Sequence, residues 1–167
     1  MRYPFNQWQT GSRCVATRRE TVSVIVTDTG FKADSTRLDF TPLAEINAKI
    51  PIKSAAIDMT ADDHPEMLAD CLSDISLIRI HFAAFDDGRG FTLARRLRLM
   101  GFAGRLRAKG YVIAEQYAMA RRAGFDEVEI SDALARRQPE GLWKTRANWT
   151  AHDYQSKLRR TANSSFP

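Results

Sequence analysis

The feature that most constrains the fold of this chain is a repeated alternation of short apolar runs with amphipathic segments. Runs rich in β-branched and aromatic residues predict five strands, at residues 21–26, 55–59, 77–82, 104–108 and 125–130. Strands that alternate with helices usually pack as a mainly parallel sheet joined by right-handed crossovers. We therefore predict an α/β fold with a mainly parallel sheet of about five strands, in an open Rossmann-like or flavodoxin-like arrangement.

The segments between the predicted strands carry helix signals. Apolar residues at helical spacing predict helices at 41–50, 63–75, 93–100 and 112–123. In the second segment, Leu68, Leu72 and Ile75 would form one buried stripe. Gly101 and Gly124 stand where the last two helices should end, as glycine commonly does after a helix.

Length and composition indicate one globular domain in a chain of 167 residues. Residues 21–136 should form the α/β domain, after a polar N-terminal extension at 1–20. A polar C-terminal tail at 137–167 should pack on the domain or on a partner subunit, so a homo-oligomer is possible. No apolar run reaches the roughly 20 residues that cross a bilayer, and the N-terminus lacks an apolar signal region. We therefore expect a cytoplasmic protein with no membrane partner.

The net charge of +5 conceals two segments of opposite charge. Residues 39–87 contain ten acidic and three basic residues, a balance of −7, whereas residues 89–122 contain nine basic residues and one acidic residue, a balance of +8. A basic segment of this kind suits an anionic small molecule, a nucleic acid or an acidic protein partner.

Two segments are predicted to follow neighbouring strands at the carboxyl edge of the sheet, where α/β proteins bind ligands. The first reads Asp86-Asp87-Gly88-Arg89-Gly90, and the second reads Arg107-Ala108-Lys109-Gly110 and leads into Glu115-Gln116. We predict that the ligand-binding residues are Asp86, Asp87, Gly88, Arg89, Gly90, Arg107, Lys109, Glu115 and Gln116.

Two interpretations of these loops stay open. Arginine side chains near a helix N-terminus can bind sulfate, phosphate or carboxylate through paired hydrogen bonds. Alternatively, Asp87 caps the following helix and pairs with Arg107, which would join the loops without any ligand. The histidines His64, His81 and His152 have no metal-ligand spacing, so no metal site is predicted. No catalytic residue is assigned, and the cofactor is unknown.

Three stretches of the chain resemble a known bacterial family. They are residues 80–94, which contain Asp-Asp-Gly-Arg-Gly, residues 106–110, which read Leu-Arg-Ala-Lys-Gly, and residues 121–126, which read Arg-Arg-Ala-Gly-Phe-Asp. They resemble the bacterial domain-of-unknown-function family 934, often labelled a probable oxidoreductase involved in sulfite reduction. The resemblance implies a cytoplasmic role alongside the assimilation of sulfate and sulfite.

The chain departs from the family pattern at three positions. Tyr111 and Glu115 stand where the family usually has aspartate, and Ala123 stands where it often has cysteine. Because Ala123 has no thiol, this position cannot serve a redox step in this protein. The loss of an acid at Tyr111 weakens any acid–base scheme carried over from the family.

Three functions follow as hypotheses. The first is binding of an oxyanion, such as sulfite, or of a phosphorylated nucleotide, with any redox chemistry supplied by a partner or a borrowed cofactor. The second is non-catalytic docking onto an acidic subunit of a sulfur-pathway reductase. The third, nucleic-acid binding, is disfavoured because the interleaved aromatic residues are expected in the core; these are Phe91, Phe102, Tyr111 and Tyr117.

Overall fold

The computed structural model describes residues 23–35, 38–46 and 55–150. Its seven strands are β1 (Ser23–Thr27), β2 (Gly30–Ala33), β3 (Phe40–Pro42), β4 (Ala55–Met59), β5 (Ile75–Phe82), β6 (Arg105–Gly110) and β7 (Glu127–Ser131). Its four α-helices are α1 (Arg89–Leu99), α2 (Tyr117–Ala123), α3 (Asp132–Arg137) and α4 (Glu140–Arg146). Short 3-10 helices occupy Leu43–Glu45, Pro65–Leu68, Leu72–Asp74 and Ala114–Gln116. The predicted extension at 1–20 lies outside the described residues.

All seven strands form one mixed sheet in the order β2-β1-β7-β6-β5-β4-β3. Strands β3 to β7 are parallel, and β1 pairs antiparallel with both β2 and β7. The predicted α/β class and mainly parallel sheet are confirmed. The predicted count of five strands is wrong, because β2 and β3 are edge strands of four and three residues that carry little sequence signal.

The hydrophobic core lies on one face of this sheet. Alternate side chains of β5, namely Ile78, Ile80 and Phe82, belong to the main core cluster, which also contains buried residues from all four α-helices. The intervening Arg79 and His81 point to the opposite face, because successive side chains of a strand alternate. A flavodoxin-like sheet reverses its strand order so that helices cover both faces. Here β3 to β7 follow one another without reversal, and the buried hydrophobic residues of the described α-helices belong to the core cluster on one face. The Rossmann-like or flavodoxin-like arrangement is corrected accordingly.

The helix predictions succeed in two segments and fail in two. Helices α1 and α2 confirm the predictions at 93–100 and 112–123. In the segment 41–50, Thr41 and Pro42 belong to β3, a 3-10 turn follows, and residues 47–50 lie outside the described part. In the segment 63–75, two 3-10 turns replace the helix because Ile75 pairs with Ala55 in the sheet. Tertiary pairing here overrides the helical spacing.

Helix α4 packs over the β2 end of the sheet. Its Trp143 is 1% exposed and makes edge-on ring contacts with Tyr117 and Phe31, at centroid distances of 5.8 and 6.5 Å. The Phe31 amide of β2 donates a hydrogen bond of 2.9 Å to the Glu140 carboxylate. This contact occupies a backbone donor of the edge strand. Among the described helices, none has the length and apolar character needed to pass through a membrane.

Candidate functional site

The loop at 86–90 connects β5 to α1. A side chain in place of Gly90 would displace the buried Phe82 ring, because a Cβ at this position would lie 2.5 Å from Cζ of Phe82. The Asp87 carboxylate accepts hydrogen bonds from the backbone amide and Nε of Arg89, at 3.2 and 2.9 Å, and from Nη2 of Arg89 at 2.7 Å. Gly88 is the N-cap residue and offers no side-chain cap, so Asp87 supplies the carboxylate at this helix start.

Arg89 is bound to two carboxylates in an exposed setting. Its Nη1 pairs with Asp62, in addition to the contacts with Asp87. Hydrogen bonds from Arg89 lower the pKa of Asp87 below its usual value. The same bonds raise the pKa of Arg89. Asp86 is exposed in the same loop. Two carboxylates therefore share one guanidinium group at this edge, and Asp86 adds a further negative charge, which leaves the loop acidic.

Arg107 and Lys109 do not lie in a loop after β6, as the sequence had suggested. Both lie within β6, which extends to Gly110, on the sheet face away from the helices. The Arg107 side chain is 1% exposed. Its Nε lies 2.8 Å from Glu127, and its Nη1 lies 3.1 Å from Glu129 and 3.0 Å from Asp34. The predicted Asp87–Arg107 clamp is therefore wrong, since each residue has other partners.

These contacts belong to a network of charges on the face away from the helices, which we call the ionic face. Arg79 forms two hydrogen bonds to Asp58, of 2.5 and 2.6 Å, and a third of 3.3 Å to Glu129. The Lys109 ammonium lies 3.5 Å from Glu129. The four carboxylates and four cations of the network are Asp34, Asp58, Glu127, Glu129, Arg79, Arg105, Arg107 and Lys109. Within this network the opposite charges are equal in number, so the paired groups leave no surplus positive charge for an anion.

Burial and ion pairing act in opposite directions on the buried arginines. Desolvation alone would lower the pKa of Arg107, but the charges of Glu127 and Asp34 outweigh it, so the pKa is raised. The pKa of Arg79 is raised in the same way, against its burial, by Asp58 and Glu129. Both guanidinium groups therefore stay charged and remain committed to internal partners.

Gln116 and Glu115 have separate surroundings. The Gln116 side chain donates a 2.6 Å hydrogen bond to the Phe85 carbonyl and accepts one of 3.2 Å from the Ile113 amide. It therefore braces the turn after β6 against the loop before α1. Glu115 lies instead beside Gln138, at 3.5 Å. The structure thus brings Gln116 to the predicted loop and places Arg107, Lys109 and Glu115 elsewhere.

His81 is a polar residue near the carboxyl edge that the sequence interpretation did not select. It lies beside Lys109 across the β5–β6 pairing and lines a cavity of about 450 Å³. The side chain is exposed, but partial desolvation first, and then the charge of Lys109, lowers the pKa of His81 below its ordinary value of 6.5. The imidazole is therefore neutral at pH 7. In the sequence, His81 stands two residues after Arg79 and between the apolar residues Ile80 and Phe82. This alternation indicates that His81 lies on the polar face of the strand.

Replacing Lys109 with methionine should raise the pKa of His81 toward 6.5, but only in part because burial remains. A proton NMR titration of the His81 ring measures this change, with Lys144→Met on α4 as the control. Because the folded protein disfavours the protonated ring, the contribution of His81 to stability is present above about pH 6.5 and is lost as the pH falls below it. An unchanged pKa in Lys109→Met would mean that the lysine charge does not act on His81.

The helix layer presents a second feature, which we call the basic helix surface: Arg95 and Leu99 of α1, Met119 and Arg122 of α2, and Arg146 of α4. Leu99 is 72% exposed and Met119 is 45% exposed. Helices α1 and α2 are held together by Arg98, whose Nε donates a 2.9 Å hydrogen bond to the Gly124 carbonyl.

A groove of about 400 Å³ runs between α2 and α4 within the basic helix surface. It is lined by Glu115, Ala118, Met119, Arg122, Thr145, Arg146 and Asn148. Arg122 donates two hydrogen bonds, of 3.1 and 2.9 Å, to the Trp149 carbonyl. Within the described ranges, neither Arg122 nor Arg146 pairs with a carboxylate. The groove therefore combines an exposed apolar side chain with two cations and one carboxylate, Glu115, that pairs with neither arginine in the described structure, so its lining keeps a net positive charge.

The aromatic residues of the basic segment divide into two groups. Phe91, Phe102 and Tyr117 are at most 8% exposed, which confirms the prediction that they belong to the core. Tyr111 is 60% exposed at the carboxyl edge, so that prediction is wrong for this residue. In the described part of the chain, no group of three or more histidine, cysteine or acidic side chains is arranged to hold a metal ion.

Comparison with known protein families gives a match over most of the chain. The sequence profile of a family described as bacterial protein of unknown function (DUF934) matches residues 56–164, well over half of the chain. This match includes β4 to β7 and all four α-helices. No curated protein and no solved structure matches the chain.

Proposed function

The chain belongs to DUF934, a family of bacterial proteins of unknown function, and from this premise we propose that it is a docking protein of sulfate and sulfite assimilation. It would bind an acidic segment of a reductase subunit on its basic helix surface. The pathway is supported by the family resemblance of residues 80–94, 106–110 and 121–126. The docking role has separate support in the geometry of the helix layer.

The observation that carries this proposal is the groove between α2 and α4, with Met119 beside Arg122 and Arg146. The charges of the two arginines are not neutralised by a described carboxylate, whereas most of the other described arginines form ion pairs within the chain. Exposed apolar side chains surrounded by cations suit a partner with carboxylates around an apolar anchor. Complementary charge would speed and orient the encounter, and the apolar contact would hold the complex.

Oxyanion or nucleotide binding at the 86–90 loop has weaker support. An oxyanion would have to compete with Asp62 and Asp87 for Arg89, in a loop that also carries Asp86. Arg107, the second cation expected for such a ligand, is buried among carboxylates on the ionic face. The geometry therefore favours docking over anion binding.

Column retention of reductase activity tests the docking role. The immobilised full chain should retain viologen-dependent sulfite-reductase activity from a native host lysate at low ionic strength and release it at high salt. Reversing two groove charges, Arg122→Glu with Arg146→Glu, should reduce the retained activity at least tenfold, because like charges then face the acidic segment. Thermal unfolding of the double variant checks that it is folded.

The matched control reverses two charges away from the groove. Arg136→Glu with Arg137→Glu reverses two exposed arginines at the end of α3, the same change of charge as in the groove, and this Arg136 variant should retain the activity as the wild type does. The proposal fails if no reductase activity is retained at low salt. It also fails if the groove variant and the Arg136 variant lose the activity equally, since that would reflect net charge alone.

A further inference from the structure

A second cavity, separate from the basic helix surface, lies at the carboxyl ends of β3, β4 and β5. Its volume is about 450 Å³, within the range of pockets that hold small molecules. The lining residues are Pro42, Leu43, Ala44, Asp58, Met59, Thr60, Asp63 and His81. Apolar residues form much of the wall, and polar groups come from the last residues of β4 and β5 and the turn after β4. Ligands of α/β proteins bind at this end of parallel strands.

Two acceptor groups in this cavity have unused hydrogen-bonding capacity. The Oδ2 atom of Asp63 accepts hydrogen bonds from the amide and hydroxyl of Thr60, at 2.6 and 3.0 Å, whereas its Oδ1 atom accepts none from the described residues. The His81 ring likewise makes no hydrogen bond within the described part of the chain. Because its pKa is lowered by burial and by Lys109, the ring presents one unprotonated nitrogen at neutral pH.

The charge beside the cavity selects the class of ligand. The turn after β4 and the loop after β5 together carry four carboxylates, and Arg89 is the only described cation that pairs with any of them. The four are Asp62, Asp63, Asp86 and Asp87. The surplus of carboxylates in this turn and loop favours a cation beside Asp63, whereas Lys109 and Arg79 lie nearer to His81 and disfavour a positive charge on that ring.

We infer that this cavity binds a small organic ammonium compound with an apolar body. Its ammonium group donates hydrogen bonds to Oδ1 of Asp63, and its hydrocarbon part lies against Leu43 and Met59, within the cavity that His81 also lines. A carboxylate paired with an ammonium group gives a stronger hydrogen bond than a neutral pair. The assignment does not depend on the docking role, since the cavity and the basic helix surface share no residue.

A matched set of probes tests the assignment. We would titrate the full chain with n-hexylamine, n-hexanol and sodium hexanoate at pH 7.5, and follow the NMR signals of the His81 ring, identified with His81→Gln. Hexylammonium should shift these signals to a saturable end point, hexanol should shift them at least tenfold more weakly, and hexanoate should leave them unchanged.

Asp63→Asn should weaken hexylammonium binding at least fivefold, because it removes the charge and keeps an oxygen for the Thr60 amide. Asp70→Asn, an exposed carboxylate outside the cavity, should bind as the wild type does. The assignment is overturned if hexylammonium gives no saturable shift, if hexanoate shifts His81 as strongly, or if the Asp70 and Asp63 variants weaken binding equally. Thermal unfolding of each variant separates lost binding from lost structure.

Discussion

Replacing Arg107 with methionine is expected to lower the free energy of unfolding by about 3–5 kcal/mol, because it breaks a buried ion-pair network from one side. The guanidinium group is 1% exposed, and it holds Glu127, Glu129 and Asp34 at 2.8 to 3.1 Å. Methionine fills a similar length of the side chain but leaves these carboxylates without that partner. Chemical denaturation monitored by circular dichroism measures the loss.

Two further variants show whether unpaired charge is the cause. Adding Glu127→Gln to Arg107→Met should restore part of the lost unfolding free energy. The double variant should therefore lose less unfolding free energy than the two single variants lose in total. Arg89→Met, which also removes two carboxylate contacts but on an exposed loop, should leave the denaturation midpoint unchanged within error. A loss under about 1 kcal/mol of unfolding free energy for Arg107→Met would show that the network adds little to stability. If the losses for Arg107→Met and Glu127→Gln simply add in the double variant, the two side chains are not coupled.

The sequence predicts those parts of the fold that carry local signals. Five of the seven strands and helices α1 and α2 are long enough, and periodic enough, to be recognised without tertiary information. Strands β2 and β3 are not, because their three or four residues become strands only by pairing with β1 and β4. The segment 63–75 has the apolar spacing of a helix, and Leu68 and Leu72 are indeed buried. It forms separate turns because β5 already begins at Ile75.

The candidate site was harder to predict than the fold, since its contacts join residues far apart in the chain. The expectation that neighbouring loops meet was sound, as the hydrogen bond from Gln116 to Phe85 shows. The error for Arg107 arose from assigning it both to the predicted strand at 104–108 and to the loop segment 107–110. Strand β6 extends to Gly110, so Arg107 is a strand side chain on the ionic face. Alternation with Leu106 and Ala108, both fully buried in the core, was the local signal that placed Arg107 on the opposite face. Its partner Asp34 is 73 residues away and had no local signal.

Replacing Trp143 with alanine is expected to cost about 3–5 kcal/mol of unfolding free energy, the usual range for a buried tryptophan. The ring is 1% exposed and contacts Tyr117 and Phe31, and its Nε1–H donates a 3.2 Å hydrogen bond to the Gln138 carbonyl. Its removal would leave a cavity between α4 and the sheet. Chemical denaturation measures the loss of unfolding free energy, and amide hydrogen exchange shows which helices and strands are destabilised.

Trp149 provides the matched control, because it is the same residue type in a half-buried position near the same helix. Its ring lies 5.7 Å from the Arg121 guanidinium carbon, so Trp149→Ala should cost only about 0.5–1 kcal/mol. We expect α4 to unfold together with the sheet, so Trp143→Ala should speed amide exchange in β5 and β6 as much as in α4. Faster exchange in α4 alone, with an unchanged denaturation midpoint for the sheet, would contradict this expectation. Helix α4, which contributes Arg146 to the groove between α2 and α4, would then unfold independently of the sheet.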